Sequence, residues 1–324
     1  MSFGSEQPGT HRALRVGTAS GEEGVASGGA TGRGERGGLL GASTLGVDCG
    51  GSGTRAVLLV DGKEACRTAH GPMNALLQGD LVECLATIVA MSPAELVGVG
   101  LPGVRTAGIA TELGEALARR TGVPVHVFSD AESAQRGAFL GGPGIVVLAG
   151  TGSAAFGDDG GGRRVHAGGH GFLLGDDGGA YWIGRAALRL VLAAADGTGP
   201  PSSLAPEIEE ATGRSPESLA ALAHRRPGER ALLAALAPVV AASTDEQAAR
   251  ILAEAGRRLA NLALSLRQQL GDLPVACVGG VFRSAAVRRG FAAHCDSVAS
   301  LADPAIGAAV AAALAPGEPG AKTR

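Results

Sequence analysis

Short apolar runs separated by glycine-rich turns form the main pattern of the chain after residue 41. Residues 45–48 and 56–60 predict two strands joined by a tight turn. Residues 145–148 and 154–156 repeat that arrangement about a hundred residues later. A strand–turn–strand unit that occurs twice indicates two lobes of similar topology.

Between and after these hairpins, buried strands alternate with helices, which predicts an α/β fold. Thr244 and Gln247 have capping-box spacing at the start of a long amphipathic helix that extends to Leu270. The other predicted strands are 97–101, 123–128 and 275–278, and the other predicted helices are 80–90, 111–121, 304–314, one starting at Ser129 and one from about Ser284.

Composition excludes several classes of function. Formal charge is −3 and Lys and Arg form no stripe with aromatic residues, so we expect neither a nucleic acid nor an anionic membrane as partner. No apolar run reaches the roughly 18–20 residues that cross a bilayer, and the first residues lack a signal-peptide core. Five scattered cysteines without a C-x-x-C pair fit reduced thiols. We therefore expect a cytoplasmic protein.

Residues 1–41 are rich in Gly, Ser, Glu, Arg and Thr and show no apolar periodicity. Such a segment cannot bury enough surface to offset its chain entropy. We expect it to be a disordered tail, and we assign it no function.

The first turn has the chemistry of a phosphate-binding loop. Glycines at a tight turn let backbone N–H groups converge on an anion, because no Cβ stands in the way. Asp48 ends the preceding strand, where its carboxylate could hold Mg²⁺ directly or through water. An ordinary hairpin explains this turn equally well by itself. The residues concerned are Gly50, Gly51, Ser52, Gly53 and Thr54.

A second glycine-rich turn follows the strand at 145–148. Two such turns, each closing a similar hairpin, could clamp a polyphosphate from both sides, which favours nucleotide binding over two unrelated hairpins. The residues of this second turn are Gly150, Thr151, Gly152 and Ser153.

Asp130 is the candidate general base. Ser129 and Glu132 have capping-box spacing, which places Asp130 in the first turn of a helix. The helix dipole favours a charged carboxylate there. Phosphoryl transfer needs positioning, charge stabilisation and one carboxylate that accepts the hydroxyl proton. A carboxylate that only stabilises the helix dipole is the simpler alternative.

Two later segments are also rich in glycine. Residues 168–184 contain Asp176 and the only Trp and only Tyr of the chain, side by side. A ligand with several hydroxyls would need carboxylates such as Asp176 at fixed positions. Gly279 and Gly280 end a strand before a helix, which allows the backbone to approach a flat group such as adenine. Loop packing alone would explain either segment.

Taken together and in this order, the motifs resemble the N-acetylglucosamine kinase family, part of a larger group of ATPases that includes the benzoyl-CoA reductase activators. The resemblance extends from Leu45 to about Ala315, and its most specific part is residues 174–184. It implies the two-lobed ribonuclease H-like fold of the actin/hexokinase-type ATPases, with duplicated lobes. The lobes would comprise residues 42–141 plus 301–316 and residues 142–300, with a short tail at 317–324.

The resemblance also implies roles for single residues. Asp130 would deprotonate a sugar hydroxyl, Asp48 would be the Mg²⁺-associated carboxylate, and ATP would lie between residues 50–54 and 150–153. Gly279 and Gly280 would contact the adenosine. Asn74, Gly103 and Asp176 would bind the sugar substrate. The implied cofactors are ATP and Mg²⁺, and a homodimer is left open.

Three positions depart from the family pattern, namely Ala154, His170 and Asp177. The family often has Asn, Trp and Glu there, and all three positions lie on or near the sugar side. The expected activity is thus phosphorylation of a hydroxyl on an amino sugar or N-acetylated sugar, with the individual sugar open. The alternatives are an ATPase that activates a partner reductase or dehydratase, and a non-catalytic sugar sensor.

Overall fold

The computed structural model describes residues 43–50, 53–71, 80–104, 106–225 and 230–315. These residues divide into two units. The carboxyl-terminal unit is Pro143–Ser300, and the amino-terminal unit combines the described residues up to Gly142 with those from Leu301 onward.

Strands and helices follow one another along the whole described chain. The strands are β1 (Thr44–Cys49), β2 (Thr54–Val60), β3 (Lys63–His70), β4 (Leu96–Leu101), β5 (Val125–Ser129), β6 (Gly144–Ala149), β7 (Ser153–Asp158), β8 (Arg164–Gly168) and β9 (Val275–Val278). The helices are α1 (Leu81–Met91), α2 (Ala107–Thr121), α3 (Asp130–Phe139), α4 (Ala180–Ala195), α5 (Leu204–Thr212), α6 (Pro216–Arg225), α7 (Arg230–Ala234), α8 (Ala237–Ala242), α9 (Glu246–Leu270), α10 (Ala285–Ala292) and α11 (Pro304–Leu314).

The amino-terminal unit contains a sheet of order β3-β2-β1-β4-β5. Strands β1, β2 and β3 form an antiparallel meander, whereas β4 and β5 run parallel to β1. In the register, Asp48 pairs with Gly100, and Gly100 pairs with Phe128. The parallel strands therefore end at the same edge of the sheet, where Asp48, near the end of β1, and Asp130, directly after β5, both lie.

Helix α11 packs directly on the backbone of β1 and β4. A Cβ atom at Gly46 would lie 1.9 Å from the carbonyl oxygen of Ala305, and one at Gly98 would lie 2.0 Å from that of Ala308. Such a close approach is open only to glycine. Glycines in the strands and alanines in α11 thus allow the backbones of the helix and the sheet to touch.

The carboxyl-terminal unit repeats the meander with a different helical cover. Its sheet has the order β8-β7-β6-β9, with β6 antiparallel to β7 and parallel to β9. The long helix α9 contributes the buried residues Leu252, Leu259 and Leu266 to the core of this unit. In this unit leucine side chains of the helix, rather than its backbone, lie against the glycines of the sheet, as Leu270 does at Gly157.

Most predicted elements are present, with two kinds of error. The capping-box prediction at Thr244 was wrong, because Asp245 is the N-cap residue of α9 and its Oδ1 accepts the Gln247 and Ala248 N–H groups at 2.6 and 3.2 Å. Strands β3 and β8 were not predicted, since neither contains a fully buried residue and both therefore lack an apolar pattern. Among the described residues, no helix is long and apolar enough to cross a membrane.

Candidate active site

Asp130 is the first residue of α3, directly after the end of β5. The hydroxyl of Ser129 accepts the Glu132 N–H at 3.1 Å, which confirms Ser129 as the N-cap. Asp130 Oδ1 accepts the N–H of Ala131 at 2.9 Å. A carboxylate at a helix N-terminus is stabilised in its charged form by the helix dipole. Asp130 is partly exposed, so its side chain can receive a proton from a ligand.

Asp48 lies near two other carboxylates, Asp130 and Asp303, at the same edge of the amino-terminal sheet. Its pKa is raised from the usual 3.8 to about 7, first by burial and then by the charge of Asp130, with a smaller raising contribution from Asp303. Arg55, its partner across the β1–β2 pair, acts in the opposite direction. The two carboxylates are therefore close enough for the charge of Asp130 to disfavour ionisation of Asp48.

The turn between β1 and β2 is closed by backbone hydrogen bonds. The Gly50 N–H donates to the Gly53 carbonyl at 2.9 Å, and the Gly53 N–H donates to the Gly50 carbonyl at 3.3 Å. Thr54, at the end of the turn, is buried near the Cys49 thiol, and its Oγ1 has no partner of normal hydrogen-bond geometry among the described residues. A buried hydroxyl without a good partner is costly to a fold. Gly51 and Ser52 lie outside the described residues.

A charged cluster that no sequence motif indicated lies beside Asp48. Asp303 is the N-cap of α11, and its Oδ1 accepts the Ala305 and Ile306 N–H groups at 3.0 and 3.1 Å. Arg67 of β3 pairs with Asp303 and also with Glu64. The Asp-Pro pair at 303–304 is an N-cap signal that could have identified Asp303, but its approach to β1 depends on the tertiary structure.

The predicted sugar-side residues of the amino-terminal unit are only partly described. Gly103 follows β4 in a tight turn with a φ of 88°, at the edge where Asp48 and Asp130 lie. That left-handed conformation favours glycine. Asn74 lies outside the described residues.

In the carboxyl-terminal unit, the second predicted phosphate loop, residues 150–153, lies on the first turn of α4. The Gly150 carbonyl accepts the Ala180 N–H at 2.9 Å, and the Thr151 carbonyl accepts the Tyr181 N–H at 3.0 Å. The N-cap of α4, Gly179, has no side chain to cap these groups. The loop backbone thus caps α4, and the helix in turn holds the loop in place.

Asp176 packs against this second loop. It is buried, with a φ of 60°, and a Cβ atom at Gly152 would lie 2.4 Å from its Oδ2. Burial raises its pKa, while the backbone N–H of Ser153, Arg230 and other neighbours lower it. The structure therefore brings Asp176 together with Gly152 and Ser153, a contact that the sequence did not predict.

The adenosine-side glycines lie beside the same loop. A Cβ atom at Gly279 would lie 2.3 Å from the carbonyl oxygen of Ala149, the last residue of β6. Gly279 has a φ of 113°, and Gly280 begins a 3₁₀ turn with open space at its Cβ position. The second loop and Gly279–Gly280 therefore share the edge at which the parallel strands β6 and β9 end.

The described residues contain no group of three or more His, Cys, Asp or Glu side chains that could hold a metal ion. Mg²⁺ needs fewer protein ligands, since it usually keeps several waters and takes only one or two carboxylates. Burial raises the pKa of the Cys277 thiol to about 12 and also raises the pKa of the Cys295 thiol, which is close enough to Cys277 to interact electrostatically.

Solved structures define the class of fold. The chain resembles a protein from Chromobacterium violaceum provisionally assigned as an N-acetylglucosamine kinase, with 29% identity, a TM-score of 0.70, and coverage of 84% of this chain and 99% of the other. It also resembles a ROK family glucokinase from Streptomyces griseus, solved with glucose and AMPPNP, at 20% identity, with a TM-score of 0.57 and coverage of 83% and 99%. The fold is therefore the ribonuclease H-like fold of the actin/hexokinase-type ATPases, as predicted.

Within that class the chain belongs to the BadF/BadG/BcrA/BcrD ATPase family, which matches residues 45–312. A curated relative, the N-acetylmuramic acid/N-acetylglucosamine kinase of Clostridium acetobutylicum, is 30% identical over 234 residues. That alignment covers 66% of this chain and 76% of the relative. Family membership confirms the resemblance drawn from the motifs.

Proposed function

We propose that this protein is an ATP-dependent kinase that phosphorylates a hydroxyl of an amino sugar or N-acetylated sugar. Its family consists of ATPases, and relatives at 29–30% identity are named as N-acetylglucosamine or N-acetylmuramic acid kinases. The observation on which the proposal mainly rests is the pair of carboxylates, Asp48 and Asp130, at one edge of the amino-terminal sheet.

Asp130 is the general base in this proposal. Its position at the start of α3 lets the helix dipole favour the charged carboxylate, and its partial exposure leaves it accessible to a substrate hydroxyl. The carboxylate would accept the hydroxyl proton as the oxygen attacks the γ-phosphate of ATP. Because the hydrogen bond from the Ala131 N–H orients the Asp130 carboxylate, little reorganisation is needed for proton transfer.

Asp48 is the residue that would hold Mg²⁺. Its pKa is raised by burial and by a neighbouring negative charge, and a bound cation would relieve both effects. One or two carboxylates with water ligands are the donor set that Mg²⁺ accepts. When bound, Mg²⁺ would neutralise charge on the ATP phosphates.

The remaining contacts are assigned to the two units separately. In the amino-terminal unit, residues 50–54 would bind phosphate, and Asn74 and Gly103 would bind the sugar. In the carboxyl-terminal unit, residues 150–153 would bind phosphate, Gly279 and Gly280 the adenosine, and Asp176 a sugar hydroxyl. Ala154, His170 and Asp177 leave the individual sugar open. We infer a cytoplasmic enzyme, because its ATP substrate is available there.

ADP release with Mg-ATP tests this function. Amino sugars, N-acetylated sugars and muramic acid would be screened, with Asp130→Asn as the blank. Release that one sugar stimulates, and that the blank lacks, would support a kinase for that sugar. Sugar-independent hydrolysis together with protein-bound iron would favour the activator of a partner reductase or dehydratase. Sugar binding without any hydrolysis would favour the sensor.

A further inference from the structure

Residues 175–179, which we call the tether segment, are enclosed between the second phosphate loop and α9. A Cβ atom at Gly179 would lie 2.8 Å from the carbonyl carbon of Gly152 in the loop. On the other side, a Cβ atom at Gly178 would lie 2.7 Å from the carbonyl oxygen of Ala255 in α9. The tether segment is therefore packed against the loop and the helix at once. Because neither contact leaves free space, a shift of the helix would displace the segment and, with it, the loop.

Asp177 of this segment makes one polar contact with the second phosphate loop and one with α9. The hydroxyl of Ser153, the last residue of the loop, donates to the Asp177 carbonyl at 2.8 Å. The Asp177 carboxylate accepts a hydrogen bond from Arg258 Nη1 of α9, at 2.7 Å from Oδ2. One residue thus joins the loop through its backbone and the helix through its side chain.

Arg258 is itself held in a defined orientation. Its Nε donates to Glu254 Oε1 at 2.9 Å, and its Cζ lies 5.0 Å from the centre of the Trp182 ring. A guanidinium fixed by an ion pair and an aromatic ring loses little further freedom when it binds a second carboxylate. The pair with Asp177 is therefore better ordered than a surface ion pair between two free side chains.

We propose that Asp177 and Arg258 are positioning residues that hold the second phosphate loop in its nucleotide-binding conformation. This inference rests on the proposed function in one respect, namely that the loop binds phosphate. The pair restrains the tether segment, the tether segment restrains Ser153 and Gly152, and the loop presents its backbone to the ligand. Neither residue touches the nucleotide in this proposal.

The test compares nucleotide affinity in the absence of sugar, measured with a fluorescent ATP analogue on the full chain. Asp177→Ala and Arg258→Ala should each weaken nucleotide binding about 3–10-fold. The double variant should lose no more affinity than the single variant that binds nucleotide more weakly, because the two residues act as one contact. Asp177→Glu should keep affinity within about twofold, as it retains the charge that Arg258 binds.

Arg250→Ala is the matched control. Arg250 lies on the same helix and pairs with Glu246 at 2.6 Å, but both side chains are more exposed, at 66% and 76%. Its loss should leave nucleotide affinity unchanged. The partly exposed pair under test, at 35% and 50%, can be removed without opening the core.

Amide hydrogen exchange of residues 150–153 in the nucleotide-free protein provides a second readout. Exchange should be faster in Asp177→Ala and Arg258→Ala than in the wild type and in Arg250→Ala. Unchanged affinity together with unchanged exchange, or losses that add in the double variant, would overturn the proposal. If the wild type binds no nucleotide, the proposed function fails, and the exchange data alone decide whether the pair positions the loop.

Discussion

The two units contain the same strand–turn–strand plan but stabilise it differently. In the amino-terminal unit, α11 lies directly on the strand backbone, at Gly46 of β1 and Gly98 of β4. In the carboxyl-terminal unit, the leucines of α9 pack into a core of larger side chains. In the first arrangement the backbone of α11 lies so close to the strands that neither glycine could carry a side chain. In the second, side chains of α9 meet the sheet, and a side chain can change rotamer to admit an added atom.

The two candidate phosphate loops differ in a separate respect, namely in what surrounds them. The first is closed on itself by hydrogen bonds between Gly50 and Gly53, and it lies beside the crowded carboxylates Asp48 and Asp130. The second is bound to α4 through its carbonyls and is connected to α9 through Asp177. Two glycine-rich turns of similar plan therefore have different surroundings: the first lies beside two carboxylates, and the second is held by hydrogen bonds to neighbouring elements.

Removing the base should have the largest effect. Asp130→Asn should lower turnover about 10²–10⁴-fold, the usual contribution of a general base, because the amide cannot accept the hydroxyl proton. ATP affinity should change little. Steady-state kinetics and nucleotide binding would check this, with Asp272→Asn, a carboxylate that is 91% exposed, as control. Near-normal turnover of the Asp130→Asn variant would remove Asp130 from the proposed role.

A glycine-to-alanine substitution should destabilise the fold more where the glycine faces helix backbone than where it faces a side chain. Gly98→Ala should destabilise the fold by about 3 kcal/mol or more, because its Cβ would meet the Ala308 carbonyl oxygen at 2.0 Å, an atom that cannot move alone. Gly157→Ala, where the Cβ would meet Leu270 Cδ1 at 2.4 Å, should cost only about 1 kcal/mol since that side chain can shift. Urea unfolding measures both.

Gly108→Ala in α2 is the control for these substitutions, as nothing lies within 4 Å of its Cβ position. It should leave stability unchanged or raise it slightly, because alanine favours the helix. Equal losses at Gly98 and Gly157 would contradict the difference in packing between the units.

The pH dependence of stability should reveal the crowded carboxylates. The pKa of Asp48 is about 7 in the folded protein, against 3.8 for an ordinary Asp. Between these two values the native state holds a proton that the unfolded state has lost, so stability falls as pH rises through this window. Asp48→Asn removes this loss, and its stability relative to the wild type should rise by about 1–3 kcal/mol between pH 5 and pH 8.

Urea unfolding at these two pH values in metal-free buffer would measure the change. Asp272→Asn should follow the wild type at both, because its carboxylate lies far into solvent. A relative stability of Asp48→Asn that is the same at pH 5 and pH 8 would show that Asp48 is not destabilised by its surroundings.

The smallest effect is expected at the start of α9. Asp245→Ala should destabilise the protein by about 1 kcal/mol, because Gln247 and Ala248 would lose their N-cap acceptor. Thr244→Ala, one residue earlier, should be nearly neutral. Thermal unfolding of the two variants would test the assignment, and a larger loss at Thr244 would restore the capping box predicted from the sequence.

The local pattern predicted much of the fold. Helix α11 was predicted with its observed bounds, and Ser129 as the N-cap of α3 is confirmed, because proline and capping residues act within one turn of a helix. Strands β3 and β8 could not be predicted, since a strand without a buried residue is stabilised by its neighbour in the sheet and leaves no apolar pattern.

The sequence by itself determined the strand–turn–strand plan, its repetition and the family, since these depend on residues close together in the chain. Only the tertiary structure decided that Asp303 and Asp130 raise the pKa of Asp48, that Asp176 rests on Gly152, and that Asp177 binds Arg258. Those contacts join residues from separate elements, and their distances depend on how the elements pack. Charge and hydrogen bonding act through space, so the chemistry of a site is fixed only when its elements have been brought together.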